Sequence, residues 1–271
     1  MENSIKLKNK TIIITGASSG IGAELAKQCG RLGAKLVIAA RSESKLFEVR
    51  DEILAKSGQC IAIRTDVTSV EDCESLTQLA IQTFGQIDIL VLNAGVSMWT
   101  NFTEIEDLHV IKKLMNVNYH GAVNGIQTAL PSLQKTKGLI VSISTLQAMI
   151  GFPKHSGYSA SKHALKGFID SLELEMNASI RFLDVFLGWI RGTNLRENAF
   201  ASDGNPLGEQ KKKHNKESIS VEDCVTGIIK AIQSDKRQTF LPWKLGLIPF
   251  LQLFFPRYLN RKLSKAVREQ K

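Results

Sequence analysis

The strongest constraint on this chain is a regular alternation of short β-branched runs with longer amphipathic stretches. The runs are "TIIIT" (11–15), "KLVIAA" (35–40), "CIAIRT" (60–65), "IDILVL" (87–92), "GLIVSIS" (138–144) and "IRFLDVF" (180–186). Near-continuous apolar character is what strands covered on both faces of a parallel sheet require. Between the runs, "GIGAELAKQCGRLGA" places apolar residues at helical spacing and stops at Gly33. "SVEDCESLTQLAIQTFG" opens on Ser69 as N-cap, has Asp72 three residues on, and stops at Gly85. Repetition of this βα unit with right-handed crossovers predicts a single α/β, doubly wound, mostly parallel sheet of about seven strands flanked by helices.

Composition agrees with one large domain: 271 residues, 43% of them hydrophobic, can bury a substantial core. We read 1–244 as that domain and 245–271 as a C-terminal extension. Within the domain, the polar stretch from Thr193 to Ser220, containing "GNPLGEQKKKHNKES", reads as a mobile lid. Cys29, Cys60, Cys73 and Cys224 show neither disulfide nor metal-ligand spacing, which predicts a reducing, cytoplasmic setting and no metal. A formal charge of +9 invites an anionic partner. Nucleic acid is disfavoured, because no recognition motif is present and aromatics do not interleave with the basic clusters. The opening "MENSIKLKNK" is polar and basic with no apolar run behind it, so neither a cleaved signal nor an N-terminal anchor is expected.

"TGASSGIG", Thr15 to Gly22, directly follows the first strand candidate and opens the first helix. Glycines at 16, 20 and 22 permit a tight turn whose main-chain N–H groups, from Ser18, Ser19, Gly20, Ile21 and Gly22, meet a pyrophosphate at a helix N-terminus. Strand before and helix after are the context this signal needs. After the second strand a dinucleotide-binding chain that selects NAD(H) carries a carboxylate for the ribose hydroxyls. Here Ala39 and Ala40 are followed by Arg41, so a 2′-phosphate would meet Arg41, with Ser18 and Lys45, in place of a carboxylate and NADP(H) is favoured; the alternative is that Arg41 is only a solvated loop cation. Asp66 and Val67 fall where the adenine edge would lie, and Asn93, Ala94 and Gly95 where the ribose would.

"YSASK" sets Tyr158 and Lys162 four residues apart, hence on one helical face, with only small residues between. A tyrosine acting as acid or base near neutrality needs its pKa lowered by roughly three units, about 4 kcal/mol. By Coulomb's law one ammonium at about 4 Å, with an effective dielectric near 20, supplies about 4 kcal/mol. On this count one lysine is enough.

With TGxxxGxG, NAG and YxxxK in this order, the chain resembles a short-chain dehydrogenase/reductase from Thr11 to about Thr193. The resemblance implies a Rossmann fold and hydride transfer between a nicotinamide and a carbonyl or secondary alcohol. It implies Tyr158 as proton donor and acceptor, Lys162 as its partner on the nicotinamide ribose, and Asn118 in "NVNYHG" as holder of a relay water. The family's catalytic serine falls on Thr145, with Ser144 one step earlier; we expect Thr145 to act and Ser144 to point away. Its Pro-Gly appears as Leu187-Gly188, and Gly192 is inserted before Thr193, which would cap a helix and meet the cofactor. Homodimers or homotetramers through the helices flanking the fifth strand are also implied. Thr145, Leu187 and Gly192 favour the alternative of a weakly active nucleotide-binding scaffold or redox sensor, against which the intact set of Tyr158, Lys162 and Asn118 argues.

The chain closes on "LGLIPFLQLFFPRYLNRKLSKAVREQK", an apolar stretch too short to span a bilayer followed by a basic one. Two readings stand: a peripheral membrane contact, or an apolar wall that closes the substrate pocket or a subunit contact. Tails of this kind resemble those of the lipid- and steroid-handling branch of the family, which implies a small hydrophobic substrate.

Overall fold

A computed structural model describes residues 6–208 and 218–268. The strands run β1 (Thr11–Thr15), β2 (Lys35–Ala40), β3 (Gln59–Arg64), β4 (Ile89–Leu92), β5 (Leu139–Thr145) and β6 (Arg181–Leu187). Two short pieces follow, β7 (Ile190–Arg191) and β8 (Ile219–Ser220), and then β9 (Gln238–Leu241). The helices are α1 (Gly20–Arg31), α2 (Glu43–Leu54), α3 (Val70–Phe84), α4 (His109–Met115), α5 (Gly121–Thr136), α6 (Ser156–Met176), α7 (Val221–Gln233), α8 (Ile248–Phe254) and α9 (Pro256–Arg268). Seven strands form one sheet in the order β3-β2-β1-β4-β5-β6-β9, every pair parallel. The expected doubly wound architecture is therefore the observed one.

Alternation along each strand divides the core. Ile12 and Ile14 of β1 pack with α1, α2 and α7 through Leu25, Leu46, Val49 and Ile228. Ile13 faces the other way, against Leu76 of α3, Ile126 of α5 and Ile169 of α6. Because both faces are covered, the strands must be apolar throughout, which is the pattern visible in the sequence. Ser69 caps α3, its hydroxyl accepting from Asp72 N at 3.0 Å, and Gly85 ends that helix in the left-handed region at φ 84°.

Three expectations are corrected in detail. The run at 87–92 enters the sheet only at Ile89, because Asp88 turns inward to accept from Thr11 N at 2.9 Å and Lys10 Nζ at 2.7 Å. The first helix stops at Arg31, two residues before Gly33. The polar stretch after Thr193 is not a free excursion over its first half. Phe200 N donates to Ser97 O at 2.9 Å, Trp99 N to Phe200 O at 3.0 Å, and Glu106 N to Ser202 O at 3.0 Å, so 200–202 is laced to the segment after β4. Residues 209–217 of the expected lid lie outside the described residues, as do 1–5 and 269–271.

One buried charge anchors the far edge of the sheet. Asp184 on β6 is 1% exposed; burial pushes its pKa up, opposed by the Arg237 guanidinium, which donates to it at 2.8 Å. Arg237 also reaches Glu173 at 2.6 Å and Asp170 at 3.1 Å on α6. Removing the guanidinium would take away the buried carboxylate's hydrogen-bonded cation and leave it facing Lys166 Nζ at 4.0 Å. Arg237→Ala is expected to lower stability by about 3 kcal/mol in urea titrations. Asp184→Asn in the same background should recover part of that loss.

Candidate active site

The site forms at the carboxyl ends of β1, β4 and β5, where parallel sheets of this kind leave a crevice. The ends of β1 and β4 are tied together first. Thr15 Oγ donates to Val91 O at 3.1 Å and accepts from Asn93 N at 3.1 Å and Ala94 N at 3.2 Å. The Asn93 amide returns two bonds, to Thr15 O at 2.9 Å and Gly16 O at 3.0 Å. Gly16, at φ 66°, passes so close that a Cβ there would sit 2.7 Å from Ala94 Cα, and a Cβ on Gly22 would overlap the Asn93 amide. No other residue type fits these two positions. The glycine-rich turn and the "NAG" stretch are thus one packed unit, as their joint appearance in the sequence suggests.

The first turn of α1 contains no acidic residue, and its N-cap Ser19 makes no side-chain bond to it. Its leading N–H groups, at Gly20, Ile21 and Gly22, accordingly face outward as an anion cradle. Thr193 closes over this turn, with Cγ2 3.6 Å from the position a Cβ on Gly20 would take. It does so from a turn, not from a helix: Gly192 at φ 84° redirects the chain, and 195–198 are turns. A cavity of about 380 Å³ opens beside the cradle between Ser18, Ser19, Gly20, Lys45, Arg191 and Gly192. It runs back along α1 and α2 and reaches neither Tyr158 nor Lys162, so it borders the cradle without being the reaction cleft. These features suit the phosphates of a dinucleotide.

Arg41 is exposed at the end of β2, close enough to Asp66 to help hold that carboxyl low. Burial raises the Asp66 pKa, but the bonds it accepts from Thr68 N at 3.0 Å and Thr68 Oγ at 2.8 Å outweigh that, and the net shift is downward. Asp66 therefore shapes the turn into α3. Val67 is buried against Gly121 and offers its carbonyl to Asn124 at 3.0 Å.

Tyr158 and Lys162 lie on the first turns of α6, 8% and 5% exposed. The ammonium sits 6.0 Å from the phenol ring centroid and donates to Ile143 O at 3.2 Å. A Cβ on Gly95 would be 3.8 Å from it, which locates the lysine directly under "NAG". The two tips share one side of the cleft, as helical spacing requires. Their electrostatics correct the estimate made from charge alone. Burial pushes the Tyr158 pKa well above its ordinary value and lowers that of Lys162 to about 8. Desolvation sets the direction of both shifts, a cost that Coulomb's law at fixed dielectric omits.

Asn118 occupies a π-helical turn, Asn116–His120, between α4 and α5. Its amide accepts from Val96 N at 2.9 Å and donates to Val96 O and Ser161 Oγ, each at 2.9 Å. Both donors are committed, so the side chain acts as a clamp, and the expected relay water has at most one lone pair of Oδ1 to use. Ser161, overlooked in the sequence although it lies inside "YSASK", completes the clamp by donating to Tyr158 O at 2.8 Å.

Thr145 ends β5, half-buried, while Ser144 is buried on the opposite face of the strand. The Thr145 hydroxyl donates to Leu187 O at 3.3 Å and accepts from Gln147 N at 3.4 Å. With one O–H to give, it must turn from Leu187 to serve a substrate oxygen. Beside Tyr158 stands an aromatic group drawn from distant segments. His155 lies 5.9 Å from the Tyr158 ring, 4.9 Å from Trp99 and 5.4 Å from Phe152, and Trp189 is 6.1 Å from Phe152.

The short chain dehydrogenase family model matches residues 10–204. The chain belongs to the short-chain dehydrogenase family. It is 33% identical over 268 residues to a dehydrogenase/reductase SDR family protein 7-like of Dictyostelium discoideum, covering 96% of this chain and 83% of that one. It is 30% identical over 265 residues to an 11-beta-hydroxysteroid dehydrogenase-like 4A of Arabidopsis thaliana, covering 96% and 86%. A short-chain dehydrogenase/reductase structure from Burkholderia phymatum, in complex with NAD, superposes with a TM-score of 0.78 at 22% identity over 92% of this chain and 94% of that one, a likeness of fold. The chain is thus a short-chain dehydrogenase/reductase with relatives in the steroid-type branch.

His155 yields a pH signature. Burial, with Arg196 and Lys154 nearby, lowers its pKa from 6.5 to about 4 although Pro153 O bonds its Nδ1 at 3.0 Å. Between those values the unfolded chain binds a proton that the folded one refuses. Stability is full above pH 6.5 and falls as pH drops toward 4, by about 3 kcal/mol from this group. His155→Phe is expected to flatten that limb in chemical denaturation from pH 7 to pH 4; an unchanged slope would contradict the assignment.

Proposed function

We propose that the protein is an NADP(H)-dependent oxidoreductase that reduces a carbonyl, and oxidises the corresponding secondary alcohol, on a small hydrophobic molecule. The observation carrying this reading is Tyr158 and Lys162 buried together on one face of α6, with the ammonium 6.0 Å from the ring and next to Gly95. The α1 cradle with Thr193 would hold the pyrophosphate, Arg41, Ser18 and Lys45 the 2′-phosphate, Asp66 and Val67 the adenine, and Asn93, Ala94, Gly95 and Lys162 the riboses. When bound, the dinucleotide supplies or accepts the hydride.

The protein's own part is to bind, orient and move one proton. Tyr158, protonated at neutral pH because burial raises its pKa, donates to the substrate oxygen as negative charge develops there. Thr145, turning from Leu187 O, gives that oxygen a second hydrogen bond. Lys162, whose pKa burial lowers to about 8, still carries its proton near neutrality and lies 6.0 Å from the phenol ring, where its charge favours the phenolate left when Tyr158 gives up its proton. The reverse reaction needs a phenolate, so alcohol oxidation should rise with pH while reduction is favoured near neutrality. Trp99, Phe152 and Trp189, grouped around His155 beside Tyr158, support an apolar, ring-bearing or lipid-like substrate. Peripheral membrane contact through 245–271 belongs to the same reading, since such a substrate partitions into lipid. Assembly as a homodimer or homotetramer through α5 and α6 does too, and light scattering would measure it.

Tyr158→Phe should reduce ketone-dependent NADPH consumption by about a hundredfold or more while NADPH binding persists. An unaffected rate would remove Tyr158 as the proton donor, and no ketone-dependent NADPH consumption by the wild type would leave only a nucleotide-binding scaffold. Arg41→Ala should weaken NADPH binding by about tenfold, as loss of a charge-assisted bond would, and leave NADH unchanged. Equal losses for the two cofactors would remove the case for NADP(H).

A further inference from the structure

The C-terminal extension has two faces that do different things. Its inner face is part of the molecule: Leu259, 5% exposed, packs with Leu146 and Ile150, and Leu245, Ile248, Leu251 and Leu263 pack around them. Leu146 follows Thr145 directly, so this layer rests on the loop that leaves the catalytic strand. The outer face has no such cover. Leu247, Phe250 and Phe254 recur at helical spacing and are 57%, 58% and 56% exposed, and Trp243, just before the extension, is 71% exposed; Leu253, Phe255 and Tyr258 are 73%, 57% and 55% exposed. A contiguous row of large apolar side chains in water marks a binding surface. Next to it α9 turns Arg257, Arg261 and Lys262 outward, and residues 238–268 contain no Asp or Glu.

We infer that the outer faces of α8 and α9 form a docking surface for an anionic phospholipid bilayer, with the aromatic row at the headgroup boundary and the α9 cations on the lipid phosphates. This deepens the membrane contact proposed above and names the lipid class. A second copy of the chain is the rival occupant, but a two-fold contact would press this acid-free basic face against its own image, where like charges repel. A neutral protein surface would answer the apolar row but not the cations. No helix among the described residues is long and apolar enough to cross a membrane, so the surface lies on the bilayer. Docking there would put the lipid one packed layer from Thr145, on the side from which a lipid-dissolved substrate would arrive.

Cosedimentation of the full chain with phosphatidylcholine vesicles, with and without phosphatidylserine, tests this. Binding should be about tenfold or more stronger with phosphatidylserine, and should weaken as salt rises. Arg257→Glu/Arg261→Glu should reduce binding to the phosphatidylcholine level. Leu253→Ser/Phe255→Ser should weaken binding to both vesicle types, while unchanged melting temperatures show that these exposed variants fold. Equal binding to the two vesicle types, or a wild-type dimer in light scattering that either double variant converts to monomer, would overturn the inference. Tyr158→Phe should bind vesicles like wild type, so loss of the catalytic reading and loss of the docking surface are told apart.

Discussion

The hydrogen-bond knot between Thr15 and Asn93 is the interaction on which the site depends. It uses the Thr15 hydroxyl and both N–H groups of the Asn93 amide to hold the ends of β1 and β4 together, and it brings the glycine-rich turn within contact of Ala94. From there Val96 is clamped by Asn118, Asn118 by Ser161, and Ser161 to the backbone of Tyr158. A continuous chain of bonds thus runs from the glycine-rich turn to the backbone of Tyr158. Each link is buried or half-buried, where a lost partner costs more than in water, so the geometry is held stiffly.

Electrostatics at Tyr158 and Lys162 are set by what surrounds them more than by each other. The same burial that excludes water from the cleft also disfavours both charges, leaving a neutral phenol and a lysine whose pKa is near 8. Such a pair is suited to giving a proton and recovering it. It is less suited to holding a standing phenolate, and that links the packing of α6 against β5 to the direction of the chemistry proposed.

Much of this was legible along the chain because it is local. "TGASSGIG" is a strand end, a turn and a helix start in one piece, and "YSASK" is one helical turn, so residue type and spacing are enough to recognise them. Ser69 and Gly85 announce the limits of α3 for the same reason. What escaped was non-local or depended on solvent. Ser161 looks like a spacer until Asn118, 43 residues earlier, is brought against it. Trp99, Phe152, His155 and Trp189 lie in three separate segments, and none has a pattern that predicts a neighbour. The lid reading rested on polar composition, which cannot report the main-chain bonds that lace Phe200 to Ser97 and Trp99. The charge estimate for Tyr158 had a distance but no burial.

The sequence by itself determined the architecture and the family and placed the glycine-rich turn, "NAG" and the Tyr158/Lys162 pair, because apolar alternation and short contiguous motifs are encoded in neighbours along the chain. Tertiary structure alone decided how those residues are charged, which partners they hold, and that the C-terminal extension packs its inner face on the loop after β5 while its outer face is left uncovered by the rest of the chain. Burial and long-range contact are properties of the folded surface, and no spacing rule along a chain contains them.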